Sequence, residues 1–157
     1  MLDLVDQLSV LLSERGWKVV TAESCTGGFV SAAITKRPGS SSILERGFVT
    51  YSNESKIELL GVNGATIATH GAVSAQTAEE MARGALKNSR GDLAISITGI
   101  AGPDGGSPEK PVGLVYFGHA LKSGKTSHSK EIFKGSREDI RAAAAKKALQ
   151  IIKEMAQ

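Results

Sequence analysis

Segments with helical spacing alternate with short β-branched segments through most of this chain. The first segment carries leucines at helical spacing and ends before Gly16, and residues 17–22 follow as a short strand-like run. The same patterns predict helices over residues 29–35, 53–60, 75–87 and 136–155, and strands over residues 48–51, 92–98, 112–120 and 127–133. Such alternation is typical of α/β proteins, in which helices cover both faces of a sheet. We therefore expect a three-layer α/β/α sandwich with a mixed, partly parallel sheet.

Length and composition narrow the class of protein. The chain has 157 residues without a repeat or a linker, which favours a single domain over residues 1–157. The net charge of +3 is mild and no basic block interleaves with aromatic residues, so we expect no nucleic-acid partner. The only cysteine, Cys25, rules out a disulfide within the chain. No apolar run is long enough to span a membrane, and residues 1–15 lack the features of a signal peptide. We expect a cytoplasmic protein with no membrane partner, and a homo-oligomer is left open.

The first segment suited to chemistry is Glu-Ser-Cys-Thr-Gly-Gly at residues 23–28. It joins a predicted strand to a predicted helix, where main-chain N–H groups point outward and can hold a phosphate or a developing oxyanion. Ser24 lies in this turn as a candidate nucleophile, although serine and threonine are also common as simple helix caps. Cys25 is the rival nucleophile, but a lone cysteine is more often a small buried residue, and no histidine pairs with it in a known signature.

The second segment is residues 48–56, which end in Lys56. This lysine would lie in the first turn of a helix, where the helix dipole and partial burial both favour the neutral amine. A neutral amine serves as a general base, whereas most lysines are simply solvated surface residues. Tyr51 would either orient the site or pack in the core.

Two further segments are candidates for binding a ligand. The glycine-rich stretch at residues 96–106 has neither the Walker nor the Rossmann spacing, so it is either a phosphate or ribose loop or a plain turn. Arg137 and Arg141 lie four residues apart on one predicted helix face. They would clamp a phosphate or pair with surface acids such as Glu138.

Taken together, the motifs resemble the C-terminal domain of the CinA family. They are Ala-Glu-Ser-Cys-Thr-Gly-Gly (22–28), Gly-Phe-Val-Thr-Tyr-Ser-Asn-Glu (47–54) with Lys56, Gly-Ala-Val-Ser (71–74), Gly-Ile-Ala-Gly-Pro-Asp-Gly-Gly (99–106) and Lys-Pro-Val-Gly (110–113). The resemblance covers nearly the whole chain in order. It implies deamidation of a small nucleotide, nicotinamide mononucleotide, to nicotinate mononucleotide and ammonia.

The resemblance also implies roles for single residues. Ser24 would be the nucleophile, Lys56 its base and Tyr51 an assisting residue. The candidates for binding the substrate are Thr26, Gly27, Gly28, Ser41, Thr98, Gly99, Arg137 and Arg141. In this mechanism main-chain N–H groups near residues 26–28 stabilise the oxyanion, and no metal or organic cofactor is needed. The alternatives are a non-catalytic nucleotide-binding module and a cysteine amidase that uses Cys25.

Overall fold

A computed structural model describes all of residues 1–157 as six helices around one five-stranded sheet. The elements in chain order are α1 (Leu2–Arg15), β1 (Val19–Glu23), α2 (Phe29–Thr35), a 3-10 turn (Ser40–Ser42), β2 (Leu44–Val49), α3 (Asn53–Leu60), α4 (Gly64–His70), α5 (Ala75–Lys87), β3 (Leu93–Gly99), β4 (Leu114–Leu121), β5 (Thr126–Ile132) and α6 (Arg137–Ala156). None of the helices is both long enough and apolar enough to cross a membrane.

The sheet has the strand order β2-β1-β3-β4-β5. β1 runs parallel to both β2 and β3, whereas the β3–β4 and β4–β5 pairs are antiparallel. The predicted mixed, partly parallel sheet is therefore confirmed. Because the first three strands in chain order are parallel, their carboxyl ends lie at one edge of the sheet, where α/β proteins commonly bind ligands.

The core lies on both faces of the sheet and gives the molecule three layers. One cluster of 23 buried residues joins the sheet to α1, α2 and α6, and a second cluster of 9 joins the opposite face to α3 and α5. Neighbouring residues of β1 illustrate the alternation, since Val19 belongs to the first cluster and Val20 to the second. Burial of aliphatic surface on both faces is the main stabilising term of such a fold.

Helix boundaries agree with the sequence patterns where local capping defines them. Ser52, Ser74 and Ser136 accept the expected hydrogen bonds at the starts of α3, α5 and α6, and Gly16 and Gly61 end α1 and α3 in the left-handed conformation. Asp139 and Ser136 form a reciprocal capping box at the start of α6.

Two predictions of secondary structure are wrong. The second strand covers Leu44–Val49 rather than residues 48–51, because it is an edge strand whose extent is set by pairing with β1 rather than by its own apolar pattern. The sequence patterns also missed α4, which has no buried residue and so lacks an apolar face to reveal it.

Candidate active site

Three strand ends and one helix bring the candidate residues together. Ser24 directly follows β1, Thr50 follows β2, and Thr98 lies in the last part of β3. Lys56 reaches them from the first turn of α3. The Lys56 Nζ lies 2.9 Å from the Ser24 Oγ, so the two side chains predicted as base and nucleophile are in direct hydrogen-bond contact.

The Lys56 amine is enclosed by polar groups. Only 1% of the residue is exposed, and its Nζ also donates to the Thr50 carbonyl at 2.8 Å and to the Tyr51 carbonyl at 3.4 Å. Burial lowers the pKa of Lys56 from 10.5 to about 8, because no carboxylate compensates the desolvation of the charged form. A neutral amine has two N–H groups for the two carbonyls and a lone pair for the Ser24 hydroxyl, which is the arrangement that a general base requires.

The turn at residues 24–28, called here the nucleophile turn, is anchored by a buried carboxylate. Glu23 is completely buried, and its two oxygens accept from the Val30 N–H at 2.9 Å, the Ser31 N–H at 3.1 Å and the Ser31 hydroxyl at 3.0 Å. The start of α2 is thus occupied by the chain's own carboxylate, so it offers these amides to no external phosphate. Sequence reasoning missed this role, although an acidic residue at the end of an otherwise apolar strand was its signal.

Main-chain amides of the nucleophile turn differ in their availability. The sequence analysis placed the oxyanion donors near residues 26–28. In the structure the Gly27 N–H donates to the Ser24 carbonyl at 3.0 Å, so it is not free to bind an oxyanion. The N–H groups of Cys25, Thr26 and Gly28 have no acceptor within the protein. Gly27 and Gly28 have φ angles of 58° and 104°, a conformation that favours glycine.

A cavity of about 280 Å³, called here the Ser24 cavity, lies over the pair. Six predicted site residues line it, namely Ser24, Tyr51, Lys56, Thr98, Gly99 and Arg137, and the sequence analysis missed Asn53 and Asp104, which also line it. No histidine lines this cavity.

Side chains around the Ser24 cavity are held by further hydrogen bonds. Thr98 is buried, and its hydroxyl donates to the Ala72 carbonyl at 2.9 Å. Tyr51 is 61% exposed at the mouth, where its hydroxyl accepts from Arg137 Nη2 at 3.0 Å, so its ring does not pack in the core. Arg137 also donates to the Gly102 carbonyl at 2.8 Å.

Other predicted substrate-binding residues lie outside the Ser24 cavity. Gly27, Gly28 and Arg141 line a separate space of about 500 Å³, called here the Arg141 cavity. Thr26 is completely buried and lines neither cavity. Ser41 is exposed in the 3-10 turn before β2, so it lies at the amino edge of the sheet, opposite to Ser24.

Cys25 has an environment unlike that of a reactive thiol. It is buried beside Ser24, and burial raises the pKa of its thiol to about 11. The thiolate is the nucleophilic form, so the Cys25 sulfur stays protonated and weakly nucleophilic near neutral pH. No group of three or more His, Cys, Asp or Glu side chains is arranged to hold a metal ion.

The fold and this geometry together define a class: an α/β/α protein with a buried serine–lysine pair at the carboxyl edge of its sheet. The chain belongs to the CinA C-terminal domain family, whose pattern it matches over residues 2–156. Nicotinamide-nucleotide amidohydrolase PncC of Escherichia coli K12 is 52% identical over 152 residues, which are 97% of this chain and 92% of that protein. A CinA-like protein of Endomicrobium trichonymphae is 53% identical over 143 residues, 91% of this chain but 33% of that longer protein.

Solved structures agree with this assignment. The crystal structure of the competence/damage inducible protein CihA from Agrobacterium tumefaciens superimposes with a TM-score of 0.97 at 44% identity. The match covers 99% of this chain and 95% of that one. The fold described above is therefore the fold of the family.

Proposed function

We propose that this protein hydrolyses the carboxamide of nicotinamide mononucleotide to nicotinate mononucleotide and ammonia, with Ser24 as nucleophile and Lys56 as base. The observation that carries the chemistry is the 2.9 Å contact between the Ser24 hydroxyl and a buried lysine amine. The choice of substrate is supported by the name of the Escherichia coli relative, nicotinamide-nucleotide amidohydrolase, which is 52% identical over nearly the whole chain.

The first step is attack of Ser24 on the carboxamide carbon. Neutral Lys56 takes the hydroxyl proton, and the Ser24 oxygen forms a bond to the carbonyl carbon as the carbonyl oxygen gains a negative charge. The Thr50 and Tyr51 carbonyls, at 2.8 and 3.4 Å, stabilise the ammonium that results, because each accepts one of its N–H groups. A pKa of about 8 leaves a much larger fraction of the amine neutral near pH 7 than an ordinary lysine has, so more of the enzyme can accept the proton.

The developing oxyanion needs donors that are not already engaged. Within the nucleophile turn, the Cys25 and Thr26 N–H groups are the unpaired amides nearest to Ser24 in sequence. We assign the oxyanion to these two amides rather than to Gly27, whose N–H is used within the turn. Loss of one such donor typically costs about 10²–10³ in rate.

Collapse of the tetrahedral intermediate breaks the carbon–nitrogen bond. The Lys56 ammonium returns its proton to the leaving nitrogen, which departs as ammonia and leaves a nicotinoyl ester on Ser24. A water molecule then gives one proton to Lys56 as its oxygen attacks the ester, and return of that proton to the Ser24 oxygen releases the carboxylic acid. The acid ionises to the carboxylate, and its proton passes to ammonia or to water. The reaction balances with protein groups and water alone. The hydrogen bond from Arg137 to Tyr51 favours a role for the Tyr51 hydroxyl at the cavity mouth over a proton relay.

The size of the Ser24 cavity agrees with a substrate held by one end. At about 280 Å³ it lies at the low end of ligand pockets, which span roughly 300–1,000 Å³. We therefore place the nicotinamide ring inside the cavity and the ribose phosphate at its mouth. Arg137 is exposed there and retains N–H groups for a phosphate. We also propose a cytoplasmic location, since the free Cys25 suits a reducing compartment.

The test is ammonia release from nicotinamide mononucleotide by the purified protein. Wild-type protein should turn the substrate over, whereas Ser24→Ala and Lys56→Met should release no ammonia above the blank. Cys25→Ala is the matched control in the same turn and should keep its activity, because its thiol is not used. A folded wild type that binds the nucleotide and releases no ammonia would make the protein a binding module. Loss of activity in Cys25→Ala together with activity in Ser24→Ala would indicate a cysteine amidase.

A further inference from the structure

We infer that Arg141 is a positioning residue, which fixes the peptide that supplies an oxyanion donor and does not bind the substrate. The inference rests on the proposed hydrolase function. It departs from the expectation that Arg137 and Arg141 act together on a phosphate.

The contacts of Arg141 are with the main chain of the nucleophile turn. Its Nε donates to the Cys25 carbonyl at 3.1 Å, and its Nη2 donates to the Thr26 carbonyl at 3.0 Å. The side chain is half-buried and lines the Arg141 cavity rather than the Ser24 cavity. The two N–H groups of one planar guanidinium thus hold two consecutive carbonyls, a geometry that an ammonium cannot reproduce.

Peptide geometry connects these carbonyls to the oxyanion. The Cys25 carbonyl and the Thr26 N–H belong to one planar peptide, and in a trans peptide the two groups point in opposite directions. Because Arg141 holds the carbonyl, the Thr26 N–H must point away from Arg141. That N–H has no acceptor in the protein, and Cys25, on the same peptide, lines the Ser24 cavity.

The next peptide is fixed in the same way. Its carbonyl belongs to Thr26 and accepts from Arg141 and also from the Phe29 N–H at 3.0 Å, and its N–H belongs to Gly27 and donates to the Ser24 carbonyl. Arg141 therefore binds the carbonyls that point away from the Ser24 cavity, while the Ser24 carbonyl closes the turn by accepting from the Gly27 N–H. A positive guanidinium on a carbonyl oxygen also polarises the peptide and strengthens its N–H as a donor.

Nothing else in the protein holds the Cys25 carbonyl, which has Arg141 as its only hydrogen-bond donor. The following residues, Gly27 and Gly28, carry no side chain that would restrict rotation of the turn. Without Arg141 the Cys25 carbonyl loses its only hydrogen bond, so the peptide between Cys25 and Thr26 is less restricted and its N–H points less consistently at the reacting carbonyl.

The experiment compares two arginines of one helix. Arg141→Ala should lower kcat about 10- to 100-fold while KM stays within about twofold, because an interaction made only in the transition state is lost. Arg141→Lys should also have a lowered kcat, since a lysine ammonium cannot donate to both carbonyls from one planar group. Arg137→Ala, one turn earlier at the mouth of the Ser24 cavity, should instead raise KM with little change in kcat.

Two readouts separate positioning from a general structural role. Methylguanidine added to Arg141→Ala should restore part of kcat, whereas methylammonium should not. 3-Pyridylboronic acid forms a tetrahedral adduct with a serine, and Arg141→Ala should bind it more weakly than the wild type does. The affinity for nicotinamide mononucleotide should be the same in Ser24→Ala and in the double variant Ser24→Ala with Arg141→Ala. If Arg141→Ala fails to fold, Arg141→Gln, which keeps an N–H donor, provides the same comparison.

The outcomes are distinct. An Arg141 variant that raises KM and retains kcat would show that this residue binds substrate, and unchanged kinetics would show that the turn is held without it. Either result overturns the inference while leaving the hydrolase intact. Absence of ammonia release by the wild type would instead overturn the proposed function on which the inference rests.

Discussion

The buried Lys56 amine makes a specific prediction for the pH dependence of the reaction. Lys56 must be neutral to accept the Ser24 proton, and burial lowers its pKa to about 8. The neutral fraction is then about 9% at pH 7 and about 91% at pH 9, so kcat/KM should rise about tenfold between these pH values and level off above pH 9. An amine with the ordinary pKa of 10.5 would give a rise of about a hundredfold and no plateau below pH 10.

The assay is the initial rate of ammonia release at low substrate concentration from pH 6 to pH 10, with the Ser24→Ala rate subtracted. Under these conditions kcat/KM reports the ionisation of the free enzyme. Cys25→Ala is the control, because burial raises the pKa of the Cys25 thiol to about 11, outside the range tested. Both proteins should show the same midpoint near pH 8.

A rate that still rises about tenfold per pH unit up to pH 10 would show that Lys56 titrates like an exposed lysine and that its burial does not lower its pKa. A profile without any midpoint in this range would show that deprotonation of Lys56 does not limit the reaction. A midpoint that moves in Cys25→Ala would assign the titration to the thiol.

Three further predictions concern stability and are measured by urea denaturation. The folded protein releases the Lys56 proton before the unfolded chain does, so its free energy of unfolding should rise with pH between about 8 and 10.5, by up to about 3 kcal/mol, and Lys56→Met should lack this rise. Glu23→Gln turns an acceptor into a donor that faces the α2 amides, and should cost about 2–3 kcal/mol. Ser31→Ala removes the hydroxyl that bonds both Glu23 and, at 2.6 Å, the buried Thr21 hydroxyl, and should cost about 1–2 kcal/mol. Gly84→Ala would put a Cβ 1.8 Å from the Leu60 carbonyl oxygen at the end of α3 and should cost about 1–3 kcal/mol or more, whereas Gly64→Ala meets only a side-chain atom at 3.7 Å and should be close to neutral. Equal stability of the two glycine variants would contradict the close packing of α5 against α3.

Local sequence features were enough to predict the fold class and most helix ends. Caps such as Ser52, Ser74 and Ser136 act within a few residues, so their effect is visible in the sequence. Edge strand β2 and the unburied helix α4 were mispredicted because the first is defined by pairing with a neighbour and the second has no apolar face.

The amino-acid sequence alone specifies a serine and glycine-rich turns after strands and a lysine in the first turn of a helix, in the order typical of the family. The environments of these residues depend on tertiary packing. The Lys56 side chain extends from α3 to the strand ends, where its burial lowers its pKa, whereas Tyr51 stays exposed at the cavity mouth. Arg137 and Arg141 share a helix face by spacing, yet one lines the Ser24 cavity and the other holds the turn behind Ser24. Spacing is a property of neighbouring residues, whereas desolvation and the choice of hydrogen-bond partner depend on groups that are distant in the chain.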